Sequence, residues 1–446
     1  MKLSKIALIV ITAFVTGPVS AADLLETYQA ALGQDAVIAS ARAVQQAGKE
    51  KLTQGRSTLL PSVNLSANMM QNQFSYQVAG FPSIPGESYN SSGGTLSLTQ
   101  PLFRQQNWET YTESEIQVAI SDAQFIQAEH DLILRVAQSY FDVLIAQDTV
   151  ELTGAQKQAI AEQLNQAKRN FEVGTATITD TYEAQARYDL IGYQEVTAAS
   201  NLEIKNRTMQ QITNAPTNDL RKLGSELKLE DPQPADVEKW IADAQLHNIQ
   251  IVIAQAATEL SDKEMSKAMG GHLPTVDLVV NYSRNLESST VVFGVPGSPF
   301  GASDISSRAI GVQLNMPLFQ GGVTQSKYRE AEAGSDKSRH DLENARRSVA
   351  VQTRQAYLGV VSGIAQVKAL QQALKSSESL LEASKLGQSV GVRTNLDVLN
   401  AQQQLYSTRR DLYQAEYNYL LSRLHLKDAV GTLTEEDLSA VNQALH

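Results

Sequence analysis

Four short segments of the chain alternate apolar and polar side chains with a period of two, the pattern of half-exposed strands. Val63, Leu65, Ala67 and Met69 interleave with Asn64, Ser66 and Asn68, and Leu96 and Leu98 with Ser97 and Thr99. Val276, Leu278, Val280 and Tyr282 interleave with Asp277, Asn281 and Ser283, with Val279 out of step. Ile310, Val312, Leu314 and Met316 interleave with Gly311, Gln313 and Asn315. A second period, of seven, runs through Val360, Val367, Leu374 and Leu381 and through Val398, Leu405, Leu412, Tyr419 and Leu426. A heptad repeat is the seam of a coiled coil, though an ordinary amphipathic bundle would satisfy it as well. In the first half Lys157 and Glu195 stand at the corresponding positions, and the seam is less clean.

The prolines divide the chain in the same way. Pro61, Pro82, Pro85 and Pro101 form one set, and Pro274, Pro296, Pro299 and Pro317 a matching one. No proline lies between Pro101 and Pro216 or after Pro317, so continuous helix is permitted there. The halves are a duplication. Leu60-Pro61-Ser62-Val63-Asn64-Leu65 matches Leu273-Pro274-Thr275-Val276-Asp277-Leu278 at an offset of 213. Pro101-Leu102-Phe103 matches Pro317-Leu318-Phe319 at 216. Gln138-Ser139-Tyr140 matches Gln355-Ala356-Tyr357 at 217; Val173-Gly174 matches Val390-Gly391, and Asp180 falls on Asp397, at the same offset.

Each half predicts the same order of elements. A helix comes first, over Asp23 to Arg56 and Ala235 to Met269. Two strands follow, within about 61–102 and 274–317, around loops at about 73–93 and 286–306. Next are very long helices, from about Arg104 to Phe171 and Gly321 to Ser389. A tight turn at each Val-Gly pair leads into a returning helix, ending near Ile212 and Ala429. At 1.5 Å per residue a helix of roughly 67 residues is about 100 Å long, which coiled coils can cover and few globular cores can. The expected fold is mostly α with a small β part: a first repeat at 22–212, a linker at 213–235, a second repeat at 236–429 and a C-terminal segment at 430–446.

The start of the chain changes the picture. Lys2 and Lys5, the apolar stretch Ile6 to Val15 and the small residues Val19-Ser20-Ala21 form a secretory leader over residues 1–21, with an uncleaved anchor as the alternative. Loss of its two lysines takes the net charge from −11 to −13. That balance opposes nucleic-acid binding. No cysteine is present, which removes disulfides, thiolate catalysis and a lipoprotein anchor, and the six histidines include no pair at metal-ligand spacing. No metal, cofactor or catalytic residue is expected.

Beyond residue 22 no run of 18 or more residues is apolar, so a membrane crossing must use strands. Two soluble hairpins are the competing reading. Four strands cannot close a barrel, and an open edge in lipid would leave backbone groups without partners. Single-chain membrane barrels begin at about eight strands, so a membrane reading forces an oligomer. A trimer would supply twelve strands.

One enzyme motif is present: Gly387-Gln388-Ser389-Val390-Gly391 fits G-x-S-x-G, with Asp397 and His425 following in hydrolase order. That motif needs a strand leading into the serine, and here a long helix does so. Ser389 also falls on Glu172 in the duplication. No phosphate-binding G-x-x-x-x-G-K-[ST] loop occurs. The rivals to a membrane-spanning oligomer are a secreted hydrolase using Ser389 and a periplasmic structural coiled coil without a pore.

The stretches Phe171-Glu172-Val173-Gly174-Thr175-Ala176-Thr177-Ile178-Thr179-Asp180 and Ser389-Val390-Gly391-Val392-Arg393-Thr394-Asn395-Leu396-Asp397-Val398-Leu399-Asn400 resemble the TolC-type outer-membrane efflux proteins. Tyr417-Asn418-Tyr419-Leu420 and Gly431-Thr432-Leu433 do so too, and the similarity runs from about Asp23 to the end. The resemblance implies a homotrimer in outer-membrane lipid of a Gram-negative bacterium, with a twelve-stranded barrel and a periplasmic tunnel of helices. It implies a passive exit duct for drugs, and for type I protein secretion as well, with a periplasmic adaptor and an inner-membrane efflux pump or ABC exporter as partners.

The same resemblance implies a gate. Arg393 matches an arginine that bonds a neighbouring hairpin, where Thr179 and Asp180 match its partners. Gln388 stands at a tyrosine position that also bonds the aspartate. Asp397 matches one member of a double acidic ring, and Asn400 departs from the second, leaving three throat carboxylates in a trimer rather than six. Val173, Gly174, Val390 and Gly391 match tips that meet the adaptor. Independently, glycine suits a left-handed turn between helices.

Overall fold

In the computed structural model, which describes residues 23–76, 79, 84–215, 220–224, 227–291 and 300–445, helices alternate with strand pairs. Helices α1 (Leu24–Gln34) and α2 (Ala36–Ser57) lead into strands β1 (Ser62–Tyr76) and β2 (Ile84–Phe103), followed by α3 (Gln105–Glu172) and α4 (Ile178–Thr213). The second half repeats this order with α5 (Val237–His247), α6 (Ile249–Met269), β3 (Thr275–Val291), β4 (Phe300–Asn315), α7 (Val323–Ser389) and α8 (Asn395–Val430), before α9 (Glu435–Asn442). The leader at 1–21, Pro82, Pro216, Pro296 and Pro299 lie outside the described residues.

The opening helix of each half is not continuous. It breaks at Asp35, whose ψ is 123°, and at Asn248, whose ψ is 129°. The two breaks are 213 residues apart, the offset of the first anchor of the duplication. At Asp35 the short polar side chain bonds nearby backbone, which ends a helix without proline or glycine. At Asn248 the side chain is held by a distant carbonyl. Asp35 Oδ1 accepts from the Ile38 N–H at 2.9 Å, and the Arg135 guanidinium donates to both Asp35 oxygens at 3.0 and 3.1 Å. Asn248 Nδ2 donates to the Ala429 carbonyl at 2.8 Å.

Two compact units divide the chain. One holds Ala41–Ile126 and Ile249–Ser348, and its centre is a four-stranded antiparallel sheet in the order β1-β2-β3-β4. The central β2–β3 ladder joins the two halves of the duplication. The register sets Val63 opposite Leu98, Leu98 opposite Val280 and Val280 opposite Ile310, a row of apolar side chains across all four strands. Because side chains alternate faces, all the alternating apolar positions share one face. Val279, out of step in sequence, faces the other way, opposite Thr99 and Gly311. The apolar face is bare: Leu65 is 78% and Ile310 76% exposed. Among the described residues β1 and β4 each pair on one side only.

The strands are longer than the ten residues of the alternating pattern. β1 reaches Tyr76 and β2 begins at Ile84, with pairs such as Gln73 to Ser88, inside the segment expected to be loop. β3 and β4 likewise extend to Val291 and from Phe300. Backbone pairing continues through Ser, Asn and Gly after the side-chain alternation has stopped. At the other end, Arg104 forks onto Asp277 at 2.6 and 2.8 Å, tying the residue before α3 to β3.

The other unit contains residues 127–248 and 349 onward together with the chain up to Ser40. Its core includes Tyr140, Phe141, Tyr417 and Tyr419, all at 2% exposure or less. The Phe141 and Tyr417 rings stack at 5.5 Å. The α8 heptad Val398, Leu405, Leu412, Tyr419 and Leu426 is buried throughout, as the coiled-coil seam requires. Tyr419 Oη bonds both backbone groups of Glu230, and Leu223 bridges Leu445, so the middle segment and the chain's end pack on the helices.

Candidate gate at the paired helical turns

The turns that end α3 and α7 are the same structure built twice. The Thr175 N–H reaches back to the Asn170 carbonyl at 2.8 Å and Gly174 N–H to Phe171 at 3.0 Å. The Val392 N–H reaches Gly387 at 2.8 Å and Gly391 N–H reaches Gln388 at 3.1 Å. This pair of bonds is the Schellman close of a helix, and it needs a left-handed residue. Gly174 (φ 81°) and Gly391 (φ 78°) supply it. Val173 and Val390, beside them, are 72% and 66% exposed.

Each turn runs directly into a capped helix. Thr177 caps α4 and Thr394 caps α8, and in both the carboxylate three residues on closes a capping box. Asp180 Oδ2 accepts from Thr177 N at 2.9 Å and Thr177 Oγ1 at 2.8 Å. Asp397 Oδ2 accepts from Thr394 N and Thr394 Oγ1, both at 2.8 Å. Asp397 therefore presents only its other oxygen freely, and Arg393 NH1 lies 3.7 Å from that Oδ1. The Thr394 N–H and hydroxyl, then Arg393, hold the Asp397 carboxyl below its ordinary range, so it stays ionised at neutral pH.

Arg393 has a supporting residue in Gly387, which the sequence marks only as part of the G-x-S-x-G motif. A Cβ on Gly387 would come 2.6 Å from Arg393 Cγ and 3.2 Å from its Cβ. The arginine stem thus crosses the helix end where glycine leaves room. The motif containing Gly387 is a packing feature, and Ser389 Oγ donates to the Leu386 carbonyl at 2.7 Å as the last residue of α7.

Asn400 lies one helical turn beyond Asp397. Its Oδ1 accepts from Arg187 NH2 at 3.0 Å, and Arg187 NH1 donates to Gln403 Oε1. Arg187, on α4, was not marked by any local pattern. Within one chain Gln388 Nε2 donates to Asn395 Oδ1 at 3.2 Å, and Asp180 is engaged by Thr177, so these two are not brought together. Thr179 is exposed in the first turn of α4. Beneath the turns, Leu399 of α8 packs with Ile160, Leu164 and Ala167 of α3 and Ala184 and Ile191 of α4. Among the described residues no group of three or more His, Asp or Glu could hold a metal ion, and no helix is long and apolar enough to cross a membrane.

The model of the family described as "Outer membrane efflux protein" matches residues 27–215 and 240–432, one match in each half. The chain belongs to the outer membrane efflux protein family. It is 34% identical over 428 residues to the outer membrane protein TolC of Escherichia coli (strain K12), covering 95% of this chain and 85% of that protein. It is 31% identical over 425 residues to the alkaline protease secretion protein AprF of Pseudomonas aeruginosa, covering 94% and 86%. The fold is that of the Campylobacter jejuni CmeC outer membrane channel, with a TM-score of 0.78 over 95% of this chain and 90% of that one at 17% identity. As an outer membrane efflux protein the chain is a channel component of the Gram-negative outer membrane and not an enzyme.

Proposed function

We propose that three copies of this chain form a passive exit duct across the outer membrane, opened at a periplasmic gate. The observation that carries this reading is the sheet: four strands with a band of apolar side chains across one face and two single-sided edges. Lipid accepts such a face but no open edge, so β1 of one copy must meet β4 of the next. Three copies give twelve strands, and the long helices of the repeats at 22–212 and 236–429 continue the duct into the periplasm.

The gate in this reading is the set of first turns of α4 and α8. Arg393 bonds Thr179 and Asp180 of a neighbouring copy, Gln388 supports that contact, and three Asp397 carboxylates ring the throat. The exposed Val173-Gly174 and Val390-Gly391 tips receive a periplasmic adaptor that couples the duct to an inner-membrane pump or ABC exporter. The likeness to a protease secretion protein supports protein export beside efflux. The test is mass measurement of the purified oligomer followed by planar-bilayer recording. Discrete, cation-selective steps from a trimer are expected; a silent, verified trimer would overturn the pore.

A further inference from the structure

A cavity of about 560 Å³ opens in the helical unit among α3, α4 and α8. Its volume lies within the range of sites that take drug-sized molecules. Its floor is the buried apolar cluster of Ile160, Ile191 and Leu399, and Leu190 and Tyr193 are exposed at its rim. In a chain of net charge −11 its lining carries two arginines, Arg187 and Arg410, and no acidic residue.

The two arginines differ in how they are held. Arg410 has a carboxylate partner, its neighbour Asp411 at 2.9 Å. Both partners of Arg187 are neutral amide oxygens, from Asn400 and Gln403. A guanidinium held only by amides keeps its charge uncompensated and its affinity for an oxyanion. The amides fix its position without neutralising it.

We propose that this cavity binds an amphipathic organic anion, with its carboxylate, sulfonate or sulfate head on Arg187 and its apolar body on Ile160, Ile191 and Leu399. Arg410 adds long-range attraction at the rim, and Tyr406 contributes further lining to the cavity. Inorganic anions would leave the apolar floor wet, and neutral aromatics would leave the arginine unused. The site needs neither the pore nor the gate assignment.

Equilibrium dialysis of the purified full-length protein in maltoside detergent tests it, with naphthalene-1-sulfonate, neutral 1-naphthalenemethanol and inorganic sulfate as probes. Saturable binding of the sulfonate, one per chain and tighter than either other probe, is expected. Arg187→Gln should weaken it about tenfold, the loss of one charge-assisted contact, and Ser407→Phe should abolish it by filling the cavity. Should Arg187→Gln fail to assemble, Arg410→Gln should show a smaller weakening. Equal binding of the neutral probe, displacement by sulfate alone, or binding untouched by these substitutions would each overturn the site. Bilayer conductance of the same preparation separates this failure from failure of the channel reading.

Discussion

Lys157 Nζ lies 2.5 Å from Glu195 Oε2, joining α3 to α4 at the two positions where the other half carries Leu374 and Leu412. The residues that spoil the first heptad seam therefore answer each other. Lys157 Nζ also lies 5.9 Å from the centroid of the Tyr188 ring, a cation–π contact that sets the charged head against an aromatic face as well as against Glu195. Removing one member of such a pair leaves a charge in a packed seam, whereas removing both restores the apolar repeat. Lys157→Leu and Glu195→Leu should each lower Tm, and the double variant should recover or exceed it. A double variant with the summed loss of the singles would show that the two positions do not act as one layer.

Glu416 gives the helical unit a pH dependence. It is 9% exposed on α8, and burial, then the charge of Asp148, push its carboxyl up to about 7 against the bond from Gln371. Below the ordinary carboxylate value of 4.5 both folded and unfolded chains are protonated there. Between that value and about 7 the folded chain holds the proton and the unfolded chain has lost it, so stability falls as pH rises. The full effect is about 3 kcal/mol at 1.36 kcal/mol per pKa unit. Glu416→Gln should flatten Tm between pH 5 and 8 and exceed the parent at the upper end. An unchanged slope would assign the dependence to other groups.

Much of this architecture can be read from periodicity, because period two and period seven each report a face that must be buried or wetted. The row from Val63 to Ile310 needs no more than alternation to predict. Strand ends were harder, since the ladder beyond Asn90 and Ser91 is held by backbone, which has no side-chain pattern. The breaks at Asp35 and Asn248 lie among helix-forming residues and show only when the halves are superposed. Arg187 had no signal at all: its partners are more than two hundred residues away and neutral. The capping role of Asp397 was open to reading, as Thr394 stands three residues before it.

The packing of Arg393 over Gly387 makes the proposed gate testable from two sides. Arg393→Ser removes the guanidinium and should raise single-channel conductance. Gly387→Ala keeps it but places a methyl 2.6 Å from Arg393 Cγ, so the stem must move. Conductance should rise in the same direction by a smaller amount. If the alanine variant equals the parent while the serine variant leaks, the arginine works without its seat. If neither leaks, another contact closes the throat.

In the proposed gate Asn400→Asp would supply a second acidic ring, but Arg187 stands 3.0 Å from the side-chain oxygen at that position. A new carboxylate there would form an ion pair with Arg187 and add little field at the throat. Block by a trivalent cation should therefore change little in Asn400→Asp alone. In Asn400→Asp combined with Arg187→Gln the charge is released and each copy presents two carboxylates. Block should then tighten by about tenfold, the order expected for one added like-charge ring at close range. Bilayer titration of the parent and the two variants separates the cases. Block tightened in Asn400→Asp alone would show that Arg187 leaves position 400 in the assembled channel, and block no tighter than the parent's in the combined variant would mean that position 400 does not face the pore.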